Sequence, residues 1–545
     1  MRKSKRSPSS LNGAAPLGVA AGLALLCACN PAPKYSTPST PVPTAYKETT
    51  PDRFKEGPGW VVAKPGDDKI RPKWWEMYND PHLNALEEQV AISNQTVAQA
   101  EANFRAARAL VVSARSSLFP TIGSTASYSR SHYPSSNPTN SAASSGRTLN
   151  NYAAAADISY SVDLWHKVRN TIAANTYSAQ ASAADVATAL LTTHAELAQD
   201  YFEVRALDAE EGILQDTIGN YRQDLNLTTI LFRAGIYSDE DVSQAQTQLD
   251  TATAQATDLG VARAQYEHAI ATLIGKPAAE FSISVAPFVT HPPPVPVAVP
   301  SVLLERRPDI AAAERLVAAQ NAEIGVSRAA YYPSLNLSAS GGFETAVFSS
   351  WFTWPSRVWS IGPALSQTLL DFGARRGAVE QSEAQYDSAV AAYRQTILSD
   401  FQAVEDNLAS LRILAQEVAE YGTAITSSAH YLDLALTRYK AGIDSYLNVV
   451  TAQNSVLTNR ETQVQTQLRQ MTASVSLIMA LGGGWDASQL PRYEEVLQKP
   501  AKWSPATSPA PVAPVAPANP PEVPSIPLPS DPDTGTSPSA APNRR

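Results

Sequence analysis

The chain is poor in the residues that most biochemical functions require in clusters. Two cysteines, Cys27 and Cys29, are all that 545 residues contain, so neither a disulfide framework nor a cysteine-built zinc site is available. Charged residues make up only 17%, with Lys+Arg 42 against Asp+Glu 51. That acidic balance argues against nucleic acid as a partner. The seven histidines, His82, His132, His166, His194, His268, His291 and His430, are scattered, with no H-E-x-x-H pair, no glycine-rich phosphate loop and no G-x-S-x-G elbow. No metal, no cofactor and no catalytic residue is therefore expected, and the chain does not read as an enzyme. Beyond residue 29 no run of 18 apolar residues occurs, so any membrane crossing must be made by strands.

What is present begins with an address. Arg2, Lys3, Lys5 and Arg6 precede an almost uncharged stretch from Gly13 to Cys29, a signal peptide by length and flanks. The stretch ends Leu26-Cys27-Ala28-Cys29 and resembles a bacterial lipobox, with a small residue just before the cysteine that is acylated. Cys27 is the weaker acceptor because Leu26 precedes it. Lipidation at Cys29 by more than one acyl chain gives a stable anchor, since each buried methylene contributes about 0.8 kcal/mol. Asn30, rather than aspartate, follows the cysteine, which in enteric bacteria favours the outer membrane. The expected location is thus the bacterial outer membrane, lipid-anchored and extending into the periplasm.

The body reads as one unit written twice. Glu101, Arg115 and Pro120 recur as Glu314, Arg328 and Pro333, an offset of 213. Further along the offset is 207: Trp165 with Phe372, Arg169 with Arg376, Phe232–Ile236 with Tyr439–Ile443, Gly275 with Gly482. The change falls in the Ser/Asn/Pro/Gly-rich stretch 131–150, expected to be a long exposed loop. The expected divisions are a signal peptide 1–28, an extended lipid-anchored segment 29–72, a first repeat 73–277, a Pro-rich connector 278–300, a second repeat 301–486 and a disordered Pro/Ala/Ser-rich tail 487–545. As a hypothesis, that tail reaches peptidoglycan or wraps the tunnel.

Within each repeat the pattern runs helix, two strands, then two helices. Residues 83–118 and 309–331 are Ala-rich and helical, each stopped by a proline. Segments 121–130, 153–163, 334–345 and 357–369 alternate in character and have the length of tilted membrane strands. Helices of about 165–230 and 372–440 follow, with return helices of about 239–274 and 446–481. Ile397, Phe401, Val404, Leu408, Leu411, Ala415, Val418, Ile425, Ala429, Leu432 and Leu436 keep a heptad spacing, as do Val242, Ala245, Leu249, Ala252, Ala256, Leu259, Tyr266, Ile270 and Leu273, which predicts coiled-coil seams. Four strands do not close a barrel, so the chain must oligomerise. Three copies give twelve strands and an aqueous bore, whereas eight strands are nearly filled by side chains. Trp351, Phe352, Trp354 and Trp359 flank the last two strands as an interfacial aromatic belt.

Taken in order, several motifs carry a resemblance over residues 29–490. They are Trp74 to Leu83 (WWEMYNDPHL), Leu303 to Ile310 (LLERRPDI), Asp163-Leu164-Trp165-His166, Leu370-Asp371-Phe372-Gly373, and the paired Ala-Gly-Ile tips at 234–236 and 441–443. The chain resembles the TolC-like outer-membrane efflux factors, most closely the lipidated OprM and NodT type. The resemblance implies a mainly helical fold with membrane β-structure, a homotrimer with a 12-stranded β-barrel on an α-helical periplasmic tunnel. It also implies docking through a periplasmic adaptor protein onto an inner-membrane pump of the resistance-nodulation-division class. The function implied is a passive exit duct for drugs or other small molecules. Rival readings are a duct for polypeptide secretion and a structural coiled-coil tether.

A duct needs a bore and a gate rather than a nucleophile. The two glycine-containing hairpins fall at the periplasmic end, where Asp239, Glu240 and Asp241 would form carboxylate rings under threefold symmetry. The same three residues also suit the positive N-terminus of the return helix. By resemblance Tyr439 matches the gate tyrosine and Asp241 an acidic partner. Asn448 and Thr451 stand where relatives commonly carry aspartates, and Asp444 replaces part of that charge. Gly235 and Gly442 are the hairpin tips expected to face the adaptor. His166 departs from the glycine usual at its position and is expected to be solvated or packed.

Overall fold

The computed structural model describes residues 30–40, 42–43, 45–48, 73–134, 146–289, 291–295 and 306–498. Cys29, the signal segment, residues 296–300 of the connector, 301–305 of the second repeat and the tail from 499 onward lie outside the described residues.

Each expected element is present, with two differences of extent. The first Ala-rich helix is two helices, α1 (Pro81–Ser93) and α2 (Gln95–Ser116). The break is at Asn94, whose extended backbone ends α1 and whose side chain accepts from Val97 N at 3.0 Å to start α2. An asparagine that caps one helix in this way competes with continuing the previous one. Strands β1 (Thr121–Tyr133) and β2 (Arg147–Val162) are longer than the alternating pattern predicted, β3 (Ser334–Thr345) matches it, and β4 (Arg357–Ser366) stops short of the expected residue 369. The long helices are α3 (Lys167–Arg233) and α6 (Ala374–Lys440), with return helices α4 (Asp239–Leu273) and α7 (Tyr446–Ala480). Between the halves stands α5 (Pro308–Ala329), with Pro308 in its first turn. Among the described residues no helix is long and apolar enough to cross a membrane.

The repeat is exact in the lengths of its long helices. Helices α3 and α6 each span 67 residues and α4 and α7 each 35; at 1.5 Å per residue the long pair extends about 100 Å. Both long helices end in an alanine at φ −79 and ψ −2 followed by a left-handed glycine, Gly235 at φ 76 and Gly442 at φ 71. Ile236 N then bonds Leu231 O, and Ile443 N bonds Arg438 O, both at 3.0 Å, the reverse turn that satisfies the last helical carbonyls. At the strand-to-helix junctions His166 (φ 58) takes the left-handed conformation that Gly373 (φ 100) takes in the second half.

The sheet is antiparallel in the order β1-β2-β3-β4. Its register puts Ile122, Tyr128, Ile158, Tyr160, Leu335, Leu337, Ile361 and Leu365 on one face. Thr125, Ser127, Ser129, Asp157, Ser159, Asn336, Ser338 and Ser340 lie on the other, because successive residues alternate between faces. Of the four aromatics at the β3–β4 connection, Trp351 and Phe352 stack at 4.9 Å, Trp354 lies 4.0 Å from the Arg357 guanidinium, and Trp359 is exposed on the apolar face.

The main core lies where α1, α3, α5, α6 and α7 converge, around Trp74, Leu83, Tyr201, Phe202, Ile310, Ile397 and Ile478. The upper heptad of α6, from Ile397 to Leu411, is buried as expected. The seams of α4 and lower α6 are only partly covered: α4 buries Ala245, Ala252, Ile270 and Ala271 alone. The reason is position. Helix α3 packs against α4 and α7, and α6 against α7, so α4 and α6 stand at the two ends of the helical layer. Residues 487–492, expected to belong to the tail, instead form a short turn at Ala487–Gln489, and α8 (Tyr493–Val496) follows. This stretch is held by Gln180 Nε2 to Pro491 O at 2.9 Å and by Arg115 to Leu497 O.

Candidate functional site

The duct-like features sit on the two hairpins and on the flank of α3. At the first hairpin Ser238 caps α4: Asp241 N donates to Ser238 Oγ at 3.3 Å, and Asp241 Oδ2 accepts from Ser238 N at 3.1 Å. The aspartate thus closes a capping box, with Asp239 and Glu240 beside it in the first turn, where the helix dipole favours negative charge. Asp239, Glu240 and Gly235 are exposed.

The second hairpin solves the same backbone problem differently. Ser445 makes no side-chain cap. Asp444, one residue earlier, accepts from Asn448 Nδ2 and Ser445 N, and pairs with Arg438 at 3.2 Å. The Asn448 hydrogen bond, the Ser445 backbone N–H and Arg438 hold the Asp444 carboxyl below the usual range. Thr451 turns back on its own helix, donating to Leu447 O at 2.8 Å. Asp444 and Asn448 are therefore one local unit, and Thr451 is separate from it.

Tyr439 is the hub between the hairpins. It is only 1% exposed; its hydroxyl lies 3.2 Å from Thr228 Oγ1 on α3, its ring stacks on Tyr237 at 4.7 Å, and Tyr446 lies at 5.3 Å. The Tyr237 hydroxyl donates to the Tyr439 carbonyl. Burial pushes the Tyr439 hydroxyl up, so it stays neutral. Just above, Asp224 on α3 accepts from Gln453 on α7. The structure brings Tyr439, Tyr446 and Tyr237 together. Asp241 is engaged by Ser238 rather than by the tyrosine.

Sequence reasoning missed an acidic stripe on α3. Glu196, Asp200, Glu203 and Glu210 recur at helical spacing on one face. Burial, then Glu196 and Glu203, pushes Asp200 up to about 7. Burial, aided by Glu461 and Glu203 and opposed by Gln465, pushes Glu210 up to about 6. The opposite face of α3 is covered: Tyr201 donates to Asp80 Oδ2 at 2.6 Å, His194 Nδ1 meets Glu87 at 2.6 Å, and Arg205 donates to Ser284 O at 2.7 Å. Burial raises the Glu87 carboxyl and lowers His194 to about 4, favouring the neutral form of both. The signal for the stripe was the four-three-seven spacing of acids along α3.

The geometry is that of a channel wall, a strand sheet with one apolar and one polar face above very long paired helices. Residues 86–276 and 299–483 match the family model described as outer membrane efflux protein, and the chain belongs to that family. The toluene efflux pump outer membrane protein TtgC of Pseudomonas putida is 30% identical, over 86% of this chain and 95% of the relative. The pyoverdine export outer membrane protein OpmQ of the same species is 31% identical, over 79% and 92%. Among solved structures, the outer-membrane channel OprN aligns with a TM-score of 0.76 and 27% identity, over 84% of this chain and all of that one. The Campylobacter jejuni CmeC channel aligns at 0.78 with 22% identity, over 85% and 96%, and supports the fold. The protein is the outer-membrane exit duct of a tripartite efflux system, located in the outer membrane and extending into the periplasm. Family members work with an adaptor and an inner-membrane pump.

Proposed function

We propose that three copies of this chain, each anchored through Cys29, close one passive duct for small organic molecules, with energy supplied by a resistance-nodulation-division pump. The observation that carries this reading is the pair of open edges. The sheet ends in β1 on one side and β4 on the other, and unpaired strand edges are not tolerated in lipid. Twelve strands leave a water-filled bore, onto which the Ser/Thr/Asn-rich face would turn. The two repeats put both hairpin tips at the periplasmic end. There Gly235 and Gly442 face the adaptor, and Asp239, Glu240, Asp241 and Asp444 make the entrance acidic. Tyr439 holds the closed arrangement by tying the second hairpin to Thr228.

The test is the oligomeric mass in mild detergent together with single-channel conductance in a planar bilayer. A trimer with small, cation-selective openings supports the reading, and a monomer without conductance overturns it. Asp241→Ala combined with Tyr439→Phe is expected to enlarge or lengthen the openings; unchanged conductance removes these residues from the gate.

A further inference from the structure

The sheet has two unlike ends. At one its strands join α2, α3, α5 and α6, and at the other lie the connections 134–146 and 346–356. Since the helices extend into the periplasm, the second end faces out of the cell. The chain is acidic overall, with Lys+Arg 42 against Asp+Glu 51, yet residues 102–156 and 345–370 contain no aspartate or glutamate. The charges at the outward end are those of Arg130, Arg147 and Arg357. We propose that this end binds phosphate-bearing lipids of the outward leaflet, with Arg130 and Arg357 each taking a head-group phosphate at one edge of the sheet. The inference rests on the reading above, in which the polar face lines the bore and the apolar face meets lipid.

Strand register sorts the charges between the two faces, because successive side chains alternate. Arg130 stands on the face of Ile122 and Tyr128, opposite Asn150, and Arg357 on the face of Ile361 and Leu365, opposite Phe343. Among the described residues that face of the strands carries no carboxylate. Arg147, Asp157 and Glu344 fall on the polar face, where Glu344 accepts from Asn151 Nδ2 at 2.9 Å. The periplasmic end of the sheet is different. There Arg375 pairs with Asp371 at 2.5 Å, Arg376 with Glu380 at 2.7 Å and Arg328 with Glu383 at 2.8 Å. Arg130 and Arg357 have no carboxylate partner among the described residues, and a cation on a lipid-facing surface calls for an anion beside it.

Arg357 is also held ready for such an anion. Its guanidinium lies 4.0 Å from the Trp354 ring, and stacking fixes the plane of the group while leaving its N–H edge free for phosphate oxygens. Between the two arginines runs a connected series of rings. Tyr128 lies 4.8 Å from Tyr152, Tyr152 lies 5.5 Å from Phe348 and 5.6 Å from Trp351, Trp351 stacks on Phe352 at 4.9 Å, and Phe352 reaches Phe343 at 5.6 Å. The series crosses from β1 to β3 on the apolar face, at the level where head groups give way to acyl chains. Aromatic rings suit that boundary, and the arginines supply the charge that selects an anionic head group over a zwitterionic one.

The probe is lipid A, a bisphosphorylated acyl glycolipid, with phosphatidylcholine as the zwitterionic control. Each is titrated onto the full-length protein in mild detergent, and retained lipid is counted by native mass spectrometry. Lipid A is expected to stay on the trimer and phosphatidylcholine to be lost. Arg130→Gln and Arg357→Gln are each expected to weaken lipid A retention about fivefold, and Trp354→Ala about threefold through the loss of stacking on Arg357. Arg147→Gln makes the same charge change at the same end on the polar face, and is expected to leave retention unaltered. Equal retention of the two lipids, or an Arg147→Gln loss as large as that of Arg357→Gln, overturns the site. A trimer that conducts yet holds lipid A equally with and without the two arginines overturns the site while leaving the duct intact. A monomer by mass overturns both.

Discussion

The two hairpins share a backbone and differ in almost everything their side chains do. Helices α3 and α6, and α4 and α7, match in length and in the left-handed glycine at the tip. Yet the first hairpin starts its return helix with Asp239, Glu240 and Asp241, and the second with Tyr446, Leu447 and Asn448. Helix α4 buries four residues, whereas α7 buries seventeen between Tyr446 and Ala480. Duplication thus preserved helix stops and turns, which depend on local backbone chemistry. The side chains diverged because one return helix is an end of the layer and the other is enclosed by α3 and α6.

The sharpest contrast lies at equivalent arginines. Arg205 is buried over Tyr201 and pairs with Asp208, which also holds Arg263; its counterpart Arg412 is half exposed and pairs with Glu48 at 2.7 Å. Asp208→Ala leaves the buried Arg205 without its carboxylate, while Arg263 keeps Glu267 at 2.7 Å, and is expected to cost about 3–5 kcal/mol. Arg412→Ala is expected to cost at most about 1 kcal/mol. Urea unfolding of the detergent-solubilised protein measures both, and equal losses break the contrast.

The tips are where the halves are expected to agree. Gly235→Ala and Gly442→Ala force a side chain into a left-handed turn and should each cost about 1–2 kcal/mol. Unequal losses would mean that one glycine is held by more than its turn. His166→Gly is the reverse experiment. Replacing a non-glycine residue at φ 58 is expected to raise stability by about 1 kcal/mol, while Gly373→His lowers it similarly.

A further contrast between the halves is in pH dependence. Burial, and secondarily Glu196 and Glu203, pushes the Asp200 carboxyl up from its ordinary 3.8 to about 7. Below 3.8 the group is neutral folded or unfolded. Between 3.8 and about 7 the unfolded carboxyl ionises first, so stability falls as pH rises and the penalty is complete above about 7. Asp200→Asn should flatten that fall in melting temperature. The second half carries Asn407 at the equivalent position, so Asn407→Asp is the complementary test.

Much of this protein was legible without coordinates, and for identifiable reasons. Helix ends followed from Pro120, Pro333, Gly235 and Gly442, because proline and glycine act on the chain locally. The duplication showed in paired motifs, and the strands in their alternation. The site was less legible. Asp239 to Asp241 were seen as a cluster, but their hydrogen-bonding to Ser238 depends on cap geometry. The pairing of Glu87 with His194, 107 residues apart, has no local signature.

What the sequence by itself determined is the set of elements and their repetition, since each is governed by contacts within a few turns of the chain. What only the tertiary structure decided is which faces are covered. Tyr439 is enclosed and Phe372 is bare, although both are aromatic residues near the end of an element. Burial is a property of neighbours brought from elsewhere in the chain.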